Sequence, residues 1–130
     1  MIFLLDTNAV AALTTENPAF MEKRLGFAAD DFAISSIVAF ELFFGAFRHA
    51  QTTKYLELFD SLQIEVVPFD SDDARAAGRV RASLLTVGRP IGPYDILIAG
   101  QALARDLTLI SRNVREFSRV DGLRVENWEA

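Results

Sequence analysis

The chain has 130 residues, 51% of them apolar and 24% charged, and its 13 Lys and Arg against 18 Asp and Glu give a net charge of −5. That composition excludes a disordered chain and fits one domain, residues 1–130, with a packed core of its own. There is no cysteine and a single histidine, His49, which excludes disulfides, thiolate catalysis, iron–sulfur clusters and Cys- or His-rich zinc sites.

In chain order, Ile2–Leu5 is a short apolar run and reads as a buried strand ending at Asp6-Thr7-Asn8. Thr7 or Asn8 is a suitable cap for a helix through Ala9–Leu13. Pro18 opens a second helix, to about Phe27. Phe32–Ile34 is the second strand, and Ser35 or Ser36 caps a helix over Ile37–Arg48. Another helix follows over Thr53–Leu62, and then a strand, Ile64–Val67, stopped by Pro68. Ser71 caps a helix from Asp72 to Thr86, whose early acids suit the helix dipole. After the loop 88–93, Pro93 starts a helix to Ala104, and Thr108–Ile110 and Leu123–Val125 are the last strands. Short apolar strands separated by amphipathic helices predict an α/β fold: a central parallel sheet of four or five strands with helices on both faces. Such sheets bind ligands beyond the carboxyl ends of their strands.

No stretch approaches the roughly 20 apolar residues of a membrane span, and Asp6 interrupts the first apolar run at once, unlike a signal peptide. A cytoplasmic protein with no membrane partner is expected. Charge is uneven: residues 1–74 hold 4 Lys and Arg against 12 Asp and Glu, whereas residues 75–130 hold 9 against 6. All nine of the later cations are arginine, whose planar fork suits phosphate.

Three acids stand where core residues are expected. Asp6 follows the first strand; Glu41 lies within Ile37-Val38-Ala39-Phe40-Glu41-Leu42-Phe43-Phe44; Asp95 lies within Ile91-Gly92-Pro93-Tyr94-Asp95-Ile96-Leu97-Ile98-Ala99. Burying an unpaired carboxylate costs several kcal/mol, and neighbouring carboxylates repel. A divalent cation relieves both, and an all-oxygen donor set without His or Cys favours Mg²⁺ or Mn²⁺ over zinc. Simpler roles remain open: a helix cap for Asp6, a dipole interaction for Asp95, a buried salt bridge for Glu41.

The order of these segments resembles the PIN-domain ribonucleases, and among them the VapC-type toxins of bacterial toxin–antitoxin pairs. The resemblance rests on Asp6-Thr7-Asn8 after an apolar strand, Ser35-Ser36 leading to Glu41-Leu42, and Pro93-Tyr94-Asp95-Ile96-Leu97-Ile98-Ala99. It continues through Leu109-Ile110-Ser111-Arg112-Asn113 with Phe117 following, and runs on to Trp128. It implies a three-layer α/β/α PIN-like fold and a metal-dependent RNA endonuclease whose central acids match Asp6, Glu41 and Asp95. Many relatives carry a fourth acid near Asn113; here Glu116 takes that role or Asn113 supplies a neutral ligand. Thr7 matches a substrate or outer contact.

On this scheme Asp6 and Asp95 hold the principal metal, and Glu41 binds through water or orients the attacking hydroxide. Arg89, Arg112 and Arg115 flank the acids and are candidates for RNA phosphate contacts. Mg²⁺ chemistry of this kind yields a 5′-phosphate and a 3′-hydroxyl. Phe40, Phe43, Phe44 and Phe47 recur on one face of the Glu41 helix, which is either core or an interface. The family implies both a homodimer and a small VapB-like antitoxin. His49 reads as an exposed partner of its helix's C-terminal dipole, and Trp128 as packing for the last strand. Two other classes are open. A haloacid-dehalogenase-like phosphohydrolase would carry Asp where Asn8 stands, and a non-catalytic receiver-like interaction module would carry a late lysine; Lys23 and Lys54 lie early.

Overall fold

The computed structural model describes residues 1–129. Five strands form one parallel sheet: β1 (Phe3–Leu5), β2 (Phe32–Ser35), β3 (Glu65–Val67), β4 (Thr108–Ile110) and β5 (Val125–Glu126). Their spatial order is β3-β2-β1-β4-β5. The helices that flank the sheet are α1 (Thr7–Thr14), α2 (Pro18–Arg24), α3 (Ser36–Arg48), α4 (Thr52–Leu62), α5 (Ser71–Thr86), α6 (Pro93–Ala104) and the short α7 (Val114–Phe117). The chain first winds outward from β1 to β3, then crosses back to β4 on the other side of β1. With right-handed crossovers this puts α1–α4 on one face and α5–α6 on the other. The three-layer α/β/α expectation holds, and the sheet has five strands.

β1, β2 and β4 are buried along their whole length, which is why they read as apolar runs rather than as alternations. At one end of the core Trp128 is almost fully covered, packed among Phe3, Phe20, Phe27 and Phe32 with ring centroids 4.8–5.8 Å away. Its indole N–H donates to Glu126 Oε1 at 3.0 Å. On the far face α5 and α6 pack so closely that a Cβ on Gly100 would lie 2.5 Å from the Ala77 backbone.

Several boundaries differ from expectation for local reasons. Asp6, not Thr7 or Asn8, caps α1: its Oδ1 accepts from the Thr7 amide at 2.8 Å, so the helix starts at Thr7. Ser35 caps α3 by accepting from the Ile37 amide, while Ser36 accepts from the Phe69 amide. Asp70 replaces Ser71 as the cap of α5, in a reciprocal box with Asp73. The second helix stops at Arg24, ahead of Gly26. The last strand is Val125–Glu126 rather than Leu123–Val125, because it pairs Val125 with Leu109 and Glu126 with Ile110. The one-turn helix α7 has no counterpart among the elements expected from the sequence.

Candidate active site

The strand order reverses between β1 and β4, and the carboxyl ends of those two strands are where a ligand site is expected in such a sheet. In-register pairing of Leu5 with Ile110 sets the next residues, Asp6 and Ser111, side by side. Both are buried. Ser111 Oγ donates to Asp6 Oδ2 at 2.7 Å and accepts from the Asn113 amide at 3.0 Å. Asn8 completes the clamp: its Nδ2 donates to Asp6 Oδ2 and to Ser111 Oγ, both at 3.3 Å, and its Oδ1 accepts from the Arg112 amide at 2.9 Å. Sequence reasoning left Ser111 and Asn8 without a site role. The available signal was a polar residue directly after each of the two central strands.

Glu41 stands on the second turn of α3, partly covered, and its Oε1 accepts from Thr7 Oγ1 at 3.1 Å. That bond places Thr7 between Asp6 and Glu41 as a bridge. Asp95 is the third residue of α6, after Gly92 as cap and Pro93 at the first helical position. Glu116 lies on α7 and its Oε2 accepts from Asn113 Nδ2 at 3.2 Å, so the two candidates for the fourth position are bonded to each other.

The electrostatics join these residues into one site. Burial pushes the Asp95 carboxyl up, and the negative charges of Asp6, Glu116 and Glu41 push it further, to about 6. Burial also raises Glu41; the Thr7 hydrogen bond opposes this and the charge of Asp6 adds to it. Among the described residues no Lys or Arg forms an ion pair with Asp6, Glu41, Asp95 or Glu116. The salt-bridge role considered for Glu41 is thereby excluded. The cap role of Asp6 is real, and occupies only one of its two oxygens.

These donors fit a hard divalent cation by chemistry: carboxylate, hydroxyl and amide oxygens, with excess negative charge and no internal counter-charge. Among the described residues no three acids are drawn together tightly enough to grip a bare ion. Mg²⁺ does not require that, because it keeps several waters and binds through one or two carboxylates.

Arg89, Arg112 and Arg115 are exposed, in the loop before α6, after β4 and on α7. Arg112 also reaches toward Glu129, with Nη1 3.8 Å from Oε1. The aromatic face of α3 is not core: Phe40, Phe43, Phe44 and Phe47 are 51%, 44%, 56% and 68% exposed. Phe40 packs against Tyr94, the neighbour of Asp95, at 5.7 Å. His49 is exposed at the end of α3, where its Nδ1 accepts from the Gln51 amide. It also caps the turn that follows α3.

Residues 3–123 match the PIN domain family. A "tRNA(fMet)-specific endonuclease VapC" of Shigella flexneri is 37% identical over 128 residues, covering 97% of each chain. The crystal structure of DNA-bound VapBC from Salmonella typhimurium contains a chain 35% identical to this one, with a TM-score of 0.91 and 98% of each chain covered. A chain of VapBC2 from Rickettsia felis, bound to a promoter DNA fragment, is 32% identical with a TM-score of 0.89, covering 98% of this chain and 99% of that one. These likenesses span the whole site and decide against the haloacid-dehalogenase-like and receiver-like readings; in this chain Asn8 clamps Asp6 and Ser111. The chain belongs to the PIN-domain family, among its VapC ribonucleases.

Proposed function

We propose that the chain is a single PIN domain over residues 1–130 that acts as the RNA-cutting toxin of a VapBC pair, using Mg²⁺ or Mn²⁺ to hydrolyse RNA phosphodiester bonds. The observation that carries this reading is the group of mutually repelling carboxylates at the switch point of the sheet, left without a cationic partner while Asp95 is raised to about 6. Asp6 and Asp95 are the principal metal ligands. A bound divalent cation would supply Lewis acidity toward a phosphate oxygen and make water more acidic. Glu41, steadied by Thr7, orients the attacking water and takes up its proton. Ser111 and Asn8 fix the rotamer of Asp6. Glu116 and Asn113 fill the fourth position together, and Arg89, Arg112 and Arg115 contact phosphates at the rim.

The name of the Shigella flexneri relative makes tRNA(fMet) the first substrate to test. The exposed aromatic face of α3 supports two protein partners, a second copy of the chain and a VapB-like antitoxin. Beside it a small apolar cleft of about 170 Å³, lined by Leu42, Phe43, Phe59 and Leu62, suits an antitoxin helix. Among the described residues no helix is long and apolar enough to cross a membrane, and we place the protein in the cytoplasm.

RNA cleavage with Mg²⁺, with EDTA, and by Asp6→Asn tests the reading. Asparagine keeps the α1 cap and removes the charge, so the variant folds and loses activity. Full activity in that variant would overturn the assignment.

A further inference from the structure

A second feature shares Arg89 with the proposed rim of the acid site and otherwise has its own lining. A groove of about 940 Å³ runs along α5 to the segment after α7. Its walls carry three arginines, Arg79 on α5, Arg89 in the loop before α6 and Arg119 just past α7, against one acid, Asp121. Its floor is apolar, with Val80, Leu84 and Val120. In a chain of net charge −5 this is a local reversal of sign. Arg119 Nη1 donates to the Pro90 carbonyl at 3.2 Å, tying the two walls together. Its Nε is buried with no hydrogen-bond partner among the described residues, a costly state for a cationic donor.

The groove and the acid site share their supports. Arg89 and Pro90 belong to the loop that delivers Asp95 to the start of α6, and Arg119 comes three residues after Glu116, whose carbonyl accepts from the Arg119 amide at 3.1 Å. The groove's lining on α5 runs from Ala76 to Thr86, about 15 Å of helix at 1.5 Å per residue.

We propose that the groove lined by Arg79, Arg89 and Arg119 carries the sugar–phosphate backbone of single-stranded RNA flanking the cut. The proposal rests on the ribonuclease reading and adds a binding track to it. RNA suits the groove better than an acidic peptide for two reasons. Guanidinium forks match phosphate oxygens in pairs, and Arg89 stands on the loop that leads into Asp95 at the start of α6. No aromatic side chain lines it, so it reads the backbone rather than stacking bases, and it is tolerant of sequence.

The test uses the full chain in EDTA, with anisotropy of a short fluorescent single-stranded RNA followed against KCl concentration. Arg79→Gln and Arg119→Gln together should weaken binding about tenfold, and lower the salt slope by about 0.7 for each phosphate that is no longer neutralised. Arg119→Lys, which keeps the charge, should retain most of the parent's slope. Lys23→Gln and Lys54→Gln together, the same loss of two charges at exposed positions on α2 and α4, should have little effect. The proposal is overturned if the double arginine variant binds like the parent, if the double lysine variant weakens binding equally, or if the arginine changes weaken only binding of a polyglutamate peptide. Cleavage in Mg²⁺ by the parent, with groove variants that bind and cut as well, would sink the groove alone. Arginine-dependent binding with no cleavage by the parent would sink the nuclease reading and leave the groove standing.

Discussion

Asp73 and Asp95 occupy the same helical position, third in α5 and third in α6, and the molecule treats them in opposite ways. Asp73 is 1% exposed. Burial pushes its carboxyl up, yet hydrogen bonds from Arg105, the Asp70 amide and Gln101, together with the charge of Arg105, hold it below the ordinary aspartate value. Arg105 reaches both Asp73 oxygens at 3.1–3.2 Å, Asp70 Oδ2 at 3.2 Å and the Pro68 carbonyl at 2.9 Å. Asp95 is less buried, meets three further acids, has no ion pair among the described residues, and is raised to about 6. The contrast separates two uses of a covered carboxylate. One is neutralised within the chain and ties α5 to α6. The other is left repelled, so that its stabilisation must come from outside.

The sharpest way to break this comparison is to neutralise one member at a time. Asp95→Asn should reduce RNA cleavage by about a thousandfold, the scale for losing a group that organises charge in a transition state. It should at the same time raise the thermal midpoint of the metal-free protein at pH 7. Asp73→Asn should do the reverse. It strands Arg105 and Gln101, and denaturant titration should show a loss of about 2–3 kcal/mol, below the ~3–5 kcal/mol of a fully buried pair because Arg105 is partly exposed. Cleavage per folded molecule should stay near the parent's. If both substitutions destabilise the fold and spare activity, the acid site is structural.

The two carboxylates should also differ in pH dependence. Asp95 has a folded pKa above its unfolded value, so in the metal-free protein its proton favours the fold. That stabilisation is present below about pH 4 and is lost as the pH rises through about 6. Asp73 has a folded pKa below its unfolded value, so its contribution is present above about pH 4 and lost on further acidification. Chemical denaturation of Asp95→Asn and of the parent should give stabilities that converge toward pH 4 and separate toward pH 7. Protons compete with a cation at Asp95, so Mn²⁺ affinity measured by calorimetry should fall about tenfold per pH unit below 6 for one competing proton. A flat profile between pH 5 and 7 would remove Asp95 from the ligand set.

The smallest expected effect concerns the clamp on Asp6. Ser111→Ala deletes one hydrogen bond to a buried carboxylate, worth about 1.5–3 kcal/mol when the acceptor is charged. Cleavage should fall roughly tenfold or more in kcat, with RNA affinity in EDTA unchanged. A loss confined to RNA affinity would move Ser111 from holding Asp6 to substrate contact.

Much of the fold was legible locally. Strands buried on both faces read as apolar runs, and Pro93 placed the start of α6 correctly, because these signals act within a few residues. The errors arose where a competing partner was remote or ambiguous. Ser36 looks as good a cap as Ser35, and the Phe69 amide claims it. β5 has too few residues to announce itself, and its bounds follow from pairing with β4. The aromatic stripe of α3 has the periodicity of a core helix, and nothing in that spacing says that no layer covers it.

The site divides along the same line. By itself the sequence determined which acids lack a local reason to be buried, because a lone carboxylate in an apolar run is costly wherever the run folds. Tertiary structure alone decided that Asp6 and Ser111 are neighbours, that Thr7 bridges to Glu41, and that Arg105 serves Asp73 while among the described residues no arginine pairs with Asp95. Those facts depend on strand register and helix crossing, which bring together residues as many as 105 positions apart. Chemistry is carried by residue type; whether a charge is answered or left open is set by what the fold puts next to it.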